Sequence, residues 1–266
     1  MQRLFASAAI VISVVMAGMG VPVHGAATPT GTIKGHVRLM GSPPANPLIR
    51  MGADPLCARL ARESGKRPTQ ELVLVDAAGG LANALVEVQG SFPAAPPAPK
   101  DPVVITQRGC VYSPRIVGVR TGQTLRVVNA DTLLHNLHGV SAKDNGFNVT
   151  QPSSGMVNNF PMKTAETMLH LTCDVHNWMN AWIAVEAHPY FATTPADGTF
   201  TIANVPVGRR TVRAWHERYG WITRTVEVKP GATATADLSY TGNEKPGAKA
   251  RTLSIPEQTL AVFTLR

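Results

Sequence analysis

The fold of this chain is decided by residues 169–179, whose sequence is LHLTCDVHNWM. The stretch carries three metal-ligating side chains at intervals of three, Cys173, His176 and Met179, and a fourth, His135, lies upstream. A thiolate, two imidazoles and a thioether are the ligand set of a mononuclear copper centre in which a weak axial Met completes a plane of two His and one Cys. The pattern therefore predicts one copper ion per chain, used for electron transfer or carried as cargo.

Each of these side chains also has a purely structural interpretation. A lone buried Cys or Met usually fills a hydrophobic core, and a lone His is more often a hydrogen-bonded structural residue than a ligand. The combination favours a metal, because Cys, His and Met follow a β-type run at i, i+3 and i+6 and are joined by an upstream His-Asn pair.

Two stretches resemble the cupredoxins, most closely the amicyanin-like branch with its short ligand loop. One is IVGVRTGQTLRVVNADTLLHN at 116–136 and the other is TCDVHNWM at 172–179. The resemblance covers roughly residues 100–187 and implies a Greek-key β-sandwich. Val175 and Asn177 stand where amicyanins carry prolines, which implies a less rigid loop.

The resemblance also implies a role for each site residue. The equatorial ligands would be His135, Cys173 and His176, and the axial ligand would be Met179. Asn136 would tie the His135 strand to the ligand loop and shield the thiolate, since hydrogen bonds to a metal-bound sulfur tune its potential. His138 follows His135 by three, which on a strand is the opposite face. We therefore expect it beside the site or at the surface rather than among the ligands.

In the family, the exposed ring of the loop His is the usual port for electrons. The resemblance thus implies that one edge of His176 reaches the surface, with Trp178, Met156 and Phe160 as candidates for an apolar patch around it. Trp178 could equally stiffen the loop by packing. No acid–base pair stands beside the motif, so we expect no enzyme but a carrier of single electrons between protein redox partners, a dehydrogenase or a cytochrome.

Other functions stay open. The same ligands would serve a copper chaperone or storage protein, and a structural β-sandwich could carry them incidentally. His188 and His216 could form a second metal site, or they could be hydrogen-bonded residues between domains.

The N-terminus predicts export. Arg3 precedes an uncharged stretch at 4–23, and the small residues Gly25, Ala26 and Ala27 follow it, so residues 1–26 are predicted to be a secretory signal peptide. A retained membrane anchor is the alternative, since about twenty apolar residues can just span a bilayer. We expect a periplasmic protein with no membrane span once mature.

Cysteine usage and charge agree with an exported protein. With Cys173 assigned to the metal, Cys57 and Cys110 are predicted to form a disulfide, which persists in an oxidising compartment; two separate buried thiols are the alternative. The formal charge is +8, and several arginines cluster at 209–224. They would steer an acidic partner or form a solvated strand face. An exported chain without a base-stacking motif is not expected to bind nucleic acid.

The composition predicts an all-β protein, with 21 Pro, 23 Gly and short Val/Ile/Thr-rich runs. We expect a cupredoxin-like Greek-key sandwich at 28–187, with its core at 100–187, and a second, smaller β-sandwich module at 188–240. Residues 241–266 would be a linker and tail. The pattern DGTFTIANVPVG at 197–208 resembles the carboxypeptidase regulatory-like (transthyretin-type) sandwich, which implies only a scaffold.

Local patterns give further expectations. GTIKGHV and GGLANALVEV, which begin at Gly31 and Gly79, also resemble the scaffold module, so the N-terminal strands could belong to either domain. Asp54 and Pro55 predict the cap and first residue of a short helix at 54–62. Residues 71–76 and 83–90 predict a hairpin, and the Asn-rich stretch 143–159 predicts a surface loop over the metal.

Overall fold

The computed structural model describes residues 28–65 and 68–246, and within these ranges it contains seventeen strands and one α-helix. The predicted all-β class is confirmed. The predicted signal peptide, 1–26, and most of the predicted tail, 247–266, lie outside the described residues. In the described part of the chain, no helix has both the length and the apolar character needed to cross a bilayer.

The strands alternate with short turns along the chain. In order they are β1 (Thr30–Leu39), β2 (Leu85–Val88), β3 (Val103–Gln107), β4 (Tyr112–Ser113), β5 (Ile116–Arg120), β6 (Thr124–Asn129), β7 (His135–Val140), β8 (Phe147–Gln151), β9 (Val157–Pro161), β10 (Glu166–Thr172), β11 (Asn180–Glu186), β12 (Phe191–Thr193), β13 (Thr199–Pro206), β14 (Gly208–His216), β15 (Gly220–Val228), β16 (Thr233–Thr235) and β17 (Leu238–Tyr240). Between β1 and β2 lie a 3₁₀ turn, Met51–Ala53, and the helix α1, Pro55–Glu63.

Two sheets form the first sandwich, with strand orders β5-β11-β10-β7-β8 and β4-β3-β6-β9. Their facing sides enclose one apolar core, which includes Leu125, Leu137 and Leu169. In β6 every second residue is buried, as expected for a strand with one face on a core. The strand that begins with His135, β7, and the strand that ends before Cys173, β10, are neighbours, and Thr172 lies opposite His138.

The second sandwich contains both ends of the described chain. One sheet has the order β13-β1-β16 with β17 also paired to β1, and the other has the order β12-β2-β14-β15. The N-terminal strands, which the sequence could not assign, thus pair with strands of the range 188–240. The range 28–187 predicted for the copper-binding domain therefore includes two strands, β1 and β2, of this second sandwich. The exact domain limits stay a prediction.

The two sandwiches meet along a small apolar junction. Leu85, Ile116, Ala184 and Trp215 form its buried cluster. At Gly118 the approach is so close that an added Cβ would lie 2.3 Å from the ring of Phe191, so a larger residue would push the sandwiches apart.

The helix α1 begins and is capped as predicted. Asp54 is its N-cap and accepts hydrogen bonds from the N–H groups of Leu56 and Cys57, with Pro55 at the first position. The predicted disulfide is also confirmed, since Cys57 in α1 is bonded to Cys110 in the turn before β4. The helix is thereby fixed to the first sandwich.

Two local predictions were wrong. Residues 71–76 and 83–90 do not pair as a hairpin; the isolated bridge in this region joins Val75 to Leu81, which precedes the second range. The Asp76 side chain accepts from two N–H groups of a tight turn, and β2 pairs instead with β12 and β14. The stretch 143–159 is not a loop, because it contains β8 and the start of β9, which extend the sheets beside β7 and β6.

The junction also buries two carboxylates, Glu87 on β2 and Glu186 on β11. Glu87 accepts from Arg213 Nε at 2.6 Å through one oxygen, and its other oxygen has no hydrogen-bond partner among the described residues. Burial and the adjacent Glu87 raise the pKa of Glu186 well above its usual range. The folded state therefore binds a proton here that the unfolded chain releases at neutral pH.

We predict that Glu186→Gln flattens the pH dependence of stability. A carboxyl whose pKa is raised on folding contributes stability below its ordinary pKa, and this contribution is lost as the pH rises. The melting temperature of the natural protein should fall from about pH 6 to about pH 8 more steeply than that of Glu186→Gln. Glu71→Gln, at an exposed position, is the control. Parallel curves for the natural protein and Glu186→Gln would refute the prediction.

Candidate metal centre

Four predicted ligands lie at one end of the first sandwich. His135 is the first residue of β7, and Cys173 follows directly after β10. The loop from Cys173 to Met179 is closed by a hydrogen bond from the Met179 N–H to the His176 carbonyl at 2.9 Å. Antiparallel pairing of β7 with β10 therefore brings His135 to the ligand loop, although 38 positions separate it from Cys173 (173 − 135).

The ligand atoms of three of these residues converge. His135 Nδ1 lies 3.1 Å from His176 Nδ1, and His176 Nδ1 lies 3.7 Å from Cys173 Sγ. Metal–nitrogen bonds are ~2.0–2.1 Å and metal–sulfur bonds ~2.3 Å, taking zinc as the reference, so one ion can span both separations. All three ligand atoms lie within 4.8 Å of one another. A thiolate with two imidazoles suits copper, and the residues therefore fit the implied ion.

The sulfur of Cys173 is buried and receives several N–H donors. Only 2% of the residue is exposed. The backbone N–H groups of Asn136 and His176 donate to Sγ at 3.3 and 3.4 Å. Burial raises the pKa of the thiol, but the contact with His135 and these donors outweigh it and lower the pKa to about 7. The surroundings therefore favour the thiolate, which is the form that binds metal.

A carboxylate contacts the Nε2 atom of each imidazole, on the side of the ring away from Nδ1. The sequence did not reveal these two contacts. His135 Nε2 lies 2.9 Å from Asp131 Oδ2, and His176 Nε2 lies 3.0 Å from Asp54 Oδ2. Burial lowers the pKa of His135, but Asp131 and Cys173 outweigh it and the net pKa is raised. A carboxylate on the outer nitrogen fixes the ring orientation and leaves the other nitrogen for a metal.

The carboxylates are themselves anchored. Asp131 accepts from the N–H groups of Gly109 and Cys110 at 2.7 and 2.9 Å, and the cap bonds of α1 hold Asp54. Cys57 and Cys110 also lie close to the two imidazoles. Because they are bonded to each other, they are not available as thiolate ligands.

Two loop residues complete the surroundings of the site. Met179 is buried in the same core cluster as Cys173, and its role as axial ligand stays a prediction. Trp178 donates from Nε1 to the Cys110 carbonyl at 2.9 Å, and its ring centre lies 5.1 Å from that of His176. Trp178 thus packs the loop against the disulfide, which is the stiffening role considered from the sequence.

The expectation of an exposed His176 edge was wrong. Only 1% of His176 is exposed, because Asp54, Cys57 and Trp178 contact or neighbour its ring. The ring of Phe160 stacks on that of Phe147, with the ring centres 3.7 Å apart. Sequence reasoning missed the covering because Asp54 lies 122 positions before His176.

The two residues predicted beside the ligands differ in their contacts. Asn136 accepts from the Asp174 N–H at 3.2 Å and donates to Asn148 at 2.8 Å, so it links β7 to the ligand loop. His138 Nδ1 lies 2.8 Å from Asp174 Oδ1, next to Cys173 in the chain. Their functional roles stay predictions.

The two histidines considered for a second metal site have aromatic neighbours. His188 packs against Phe92 and Tyr190, and His216 packs against Tyr219 and Tyr240. Burial lowers the pKa of both imidazoles. No group of metal-ligating side chains among the described residues includes either of them, so the structure gives no support to a second site there.

Comparisons with known proteins yield partial likenesses. A family model described as polysaccharide lyase family 4, domain II, matches residues 161–236, and no curated protein matches the chain. A Cu-containing nitrite reductase from Thermus scotoductus SA-01 is 18% identical with a TM-score of 0.31, over 37% of this chain and 25% of that one. The chain thus spans about a quarter of that enzyme.

Two smaller solved proteins are also similar. An amicyanin variant is 20% identical with a TM-score of 0.28, over 32% of this chain and 81% of its own. A purple cupredoxin from Nitrosopumilus maritimus is 18% identical with a TM-score of 0.28, over 31% of this chain and 98% of its own. TM-scores this low carry no inference about function.

We predict that Tyr112→Phe destabilises the site even without metal. The Tyr112 hydroxyl donates to the carbonyls of Asn136 and Thr172 at 2.5 and 3.1 Å, and so it joins the two ligand strands. Losing a buried hydrogen bond costs about 1–3 kcal/mol in the free energy of unfolding, which urea denaturation of metal-free protein would measure. Tyr219→Phe is the control, since no hydrogen bond from its hydroxyl is found within the described residues. An equal loss in both variants would contradict the assignment.

Proposed function

We propose that this chain is a type 1 copper protein that carries single electrons between protein redox partners. The observation that carries the proposal is the convergence of His135 Nδ1, His176 Nδ1 and Cys173 Sγ in a buried site. Copper held by a thiolate, two imidazoles and a weak thioether accepts and releases one electron with little rearrangement. Met179 is the axial ligand in this proposal.

The protein's own contribution is to hold the ligands in one arrangement. Asp131 and Asp54 fix the two rings, and the N–H groups of Asn136 and His176 stabilise charge on the sulfur. Such outer contacts orient metal ligands and tune the metal. A site held this way undergoes small changes in position when charge is gained or lost.

Burial favours electron transfer over catalysis and over copper delivery. His135, Cys173, His176 and Met179 are all buried. A substrate could not reach an ion among them without displacing the surrounding side chains, so we propose that the protein is not an enzyme. A chaperone must release its metal readily, and burial hinders that release. An electron, in contrast, can be transferred through the side chains that cover the site.

The surface around the site suits a protein partner. Four exposed apolar side chains each adjoin a site or disulfide residue in sequence: Leu56, Val111, Leu134 and Val175. Adjacent Cα atoms are ~3.8 Å apart, so the backbone of each of these residues lies next to the site or to the disulfide. With the chain's charge of +8, we propose a dehydrogenase or cytochrome that presents an acidic face.

We propose a periplasmic location. The Cys57–Cys110 disulfide supports an oxidising compartment, as does the predicted signal peptide.

The test is an optical spectrum with metal analysis on two variants. Cys173→Ser should lose the thiolate-to-copper charge-transfer band and keep the β-fold, because only the sulfur supplies that transition. Met179→Gln should keep the colour and shift the potential measured by voltammetry, because the axial ligand tunes it.

Two results would defeat the proposal. A blue Cys173→Ser protein would exclude the assigned sulfur. A natural protein that takes up no copper after loading and reduction would leave a structural β-sandwich as the better description.

A further inference from the structure

The two carboxylates that contact the imidazoles are linked by hydrogen bonds to the two ends of one disulfide. From His176 the connection runs to Asp54, along the first turn of α1 to Cys57, and across the disulfide to Cys110. From Cys110 it continues through the backbone N–H to Asp131, whose Oδ2 lies 2.9 Å from His135 Nε2. The two histidines are thus joined at their outer nitrogens as well as at their inner ones.

Asp54 serves the helix and the imidazole with different oxygens. Its Oδ1 accepts from the Leu56 and Cys57 N–H groups at 2.9 and 3.0 Å, and its Oδ2 faces His176 Nε2 at 3.0 Å. A cap alone needs one oxygen. The second oxygen therefore remains available for the contact with His176.

We propose that Asp54, held in place by the Cys57–Cys110 disulfide, is a positioning residue that keeps His176 Nδ1 aimed at the metal and closes the site against copper exchange. The inference rests on the proposed copper function and names what controls the site. Residues 54–57 together with Cys110 form the latch.

The segment that contains residues 54–57 of the latch begins and ends at strands of the second sandwich. The chain leaves β1 at Leu39 and enters β2 at Leu85, and both strands pair within the second sandwich. Between them, α1 crosses to the first sandwich and packs with Ala58 and Leu60 against its core. The second sandwich thus anchors both ends of the segment that covers His176. The strands of the first sandwich do not provide this segment.

Two variants test the latch from opposite ends. Asp54→Ser keeps a side-chain oxygen that caps helices as well as Asp does, but it lacks the second oxygen needed at His176. Cys57→Ala/Cys110→Ala keeps Asp54 and removes the covalent tie. Asp76→Ser is the matched control, because Asp76 also accepts from two backbone N–H groups but lies in the second sandwich.

Copper-loaded proteins are mixed with an excess chelator, and the decay of the charge-transfer band is followed. Loss of an outer contact typically weakens metal binding 10- to 100-fold, so Asp54→Ser should release copper about ten times faster or more, with a shifted band position. The disulfide variant should change in the same direction, and Asp76→Ser should match the natural protein.

The possible failures are distinguishable. Release at the natural rate with an unshifted band in Asp54→Ser would overturn the latch while leaving the copper function intact. If Asp54→Ser does not fold, natural release from the disulfide variant overturns the latch. A natural protein that binds no copper would overturn the proposed function itself, before any variant is compared.

Discussion

The site depends on the fixed orientation of two buried imidazoles. Each ring could rotate about its side-chain bonds. One ion can contact all three residues only if both Nδ1 atoms and the Cys173 sulfur are directed at the same position. The contacts of Asp131 and Asp54 with the outer nitrogens determine which side of each ring faces inward. Without these carboxylate contacts, burial alone would not determine which nitrogen of each ring points toward Cys173. The two Nδ1 atoms lie 3.1 Å apart.

The rest of the fold serves to hold these groups in place. Pairing of β7 with β10 brings His135 to the loop, and the Tyr112 hydroxyl joins the same two strands at their ends. The disulfide and α1 bring Asp54 over His176 from a segment anchored in the second sandwich. The two modules therefore contribute to one site, although the candidate ligands come from only one of them.

The sequence predicted the features that depend on local spacing. The closeness of Cys173 and His176, the Asp54-Pro55 start of α1 and the all-β class follow from residue order and composition, and the disulfide follows from the expected compartment. The contact of Asp54 with His176 could not be predicted, because it joins residues 122 positions apart without a shared pattern. The same holds for β8 and β9, whose Asn-rich sequence suggests a loop until pairing with β7 and β6 supplies partners. The contact of Asp131 with His135 was easier to predict, because only four positions separate the two residues.

The most direct measurement is a crystal structure of the copper-loaded protein with anomalous scattering at the copper edge. We expect one copper ion per chain, bonded to Cys173 Sγ and to the Nδ1 atoms of His135 and His176, with Asp54 and Asp131 still on the Nε2 atoms. Copper bound elsewhere, or bound through Nε2 with the rings reversed, would contradict this account.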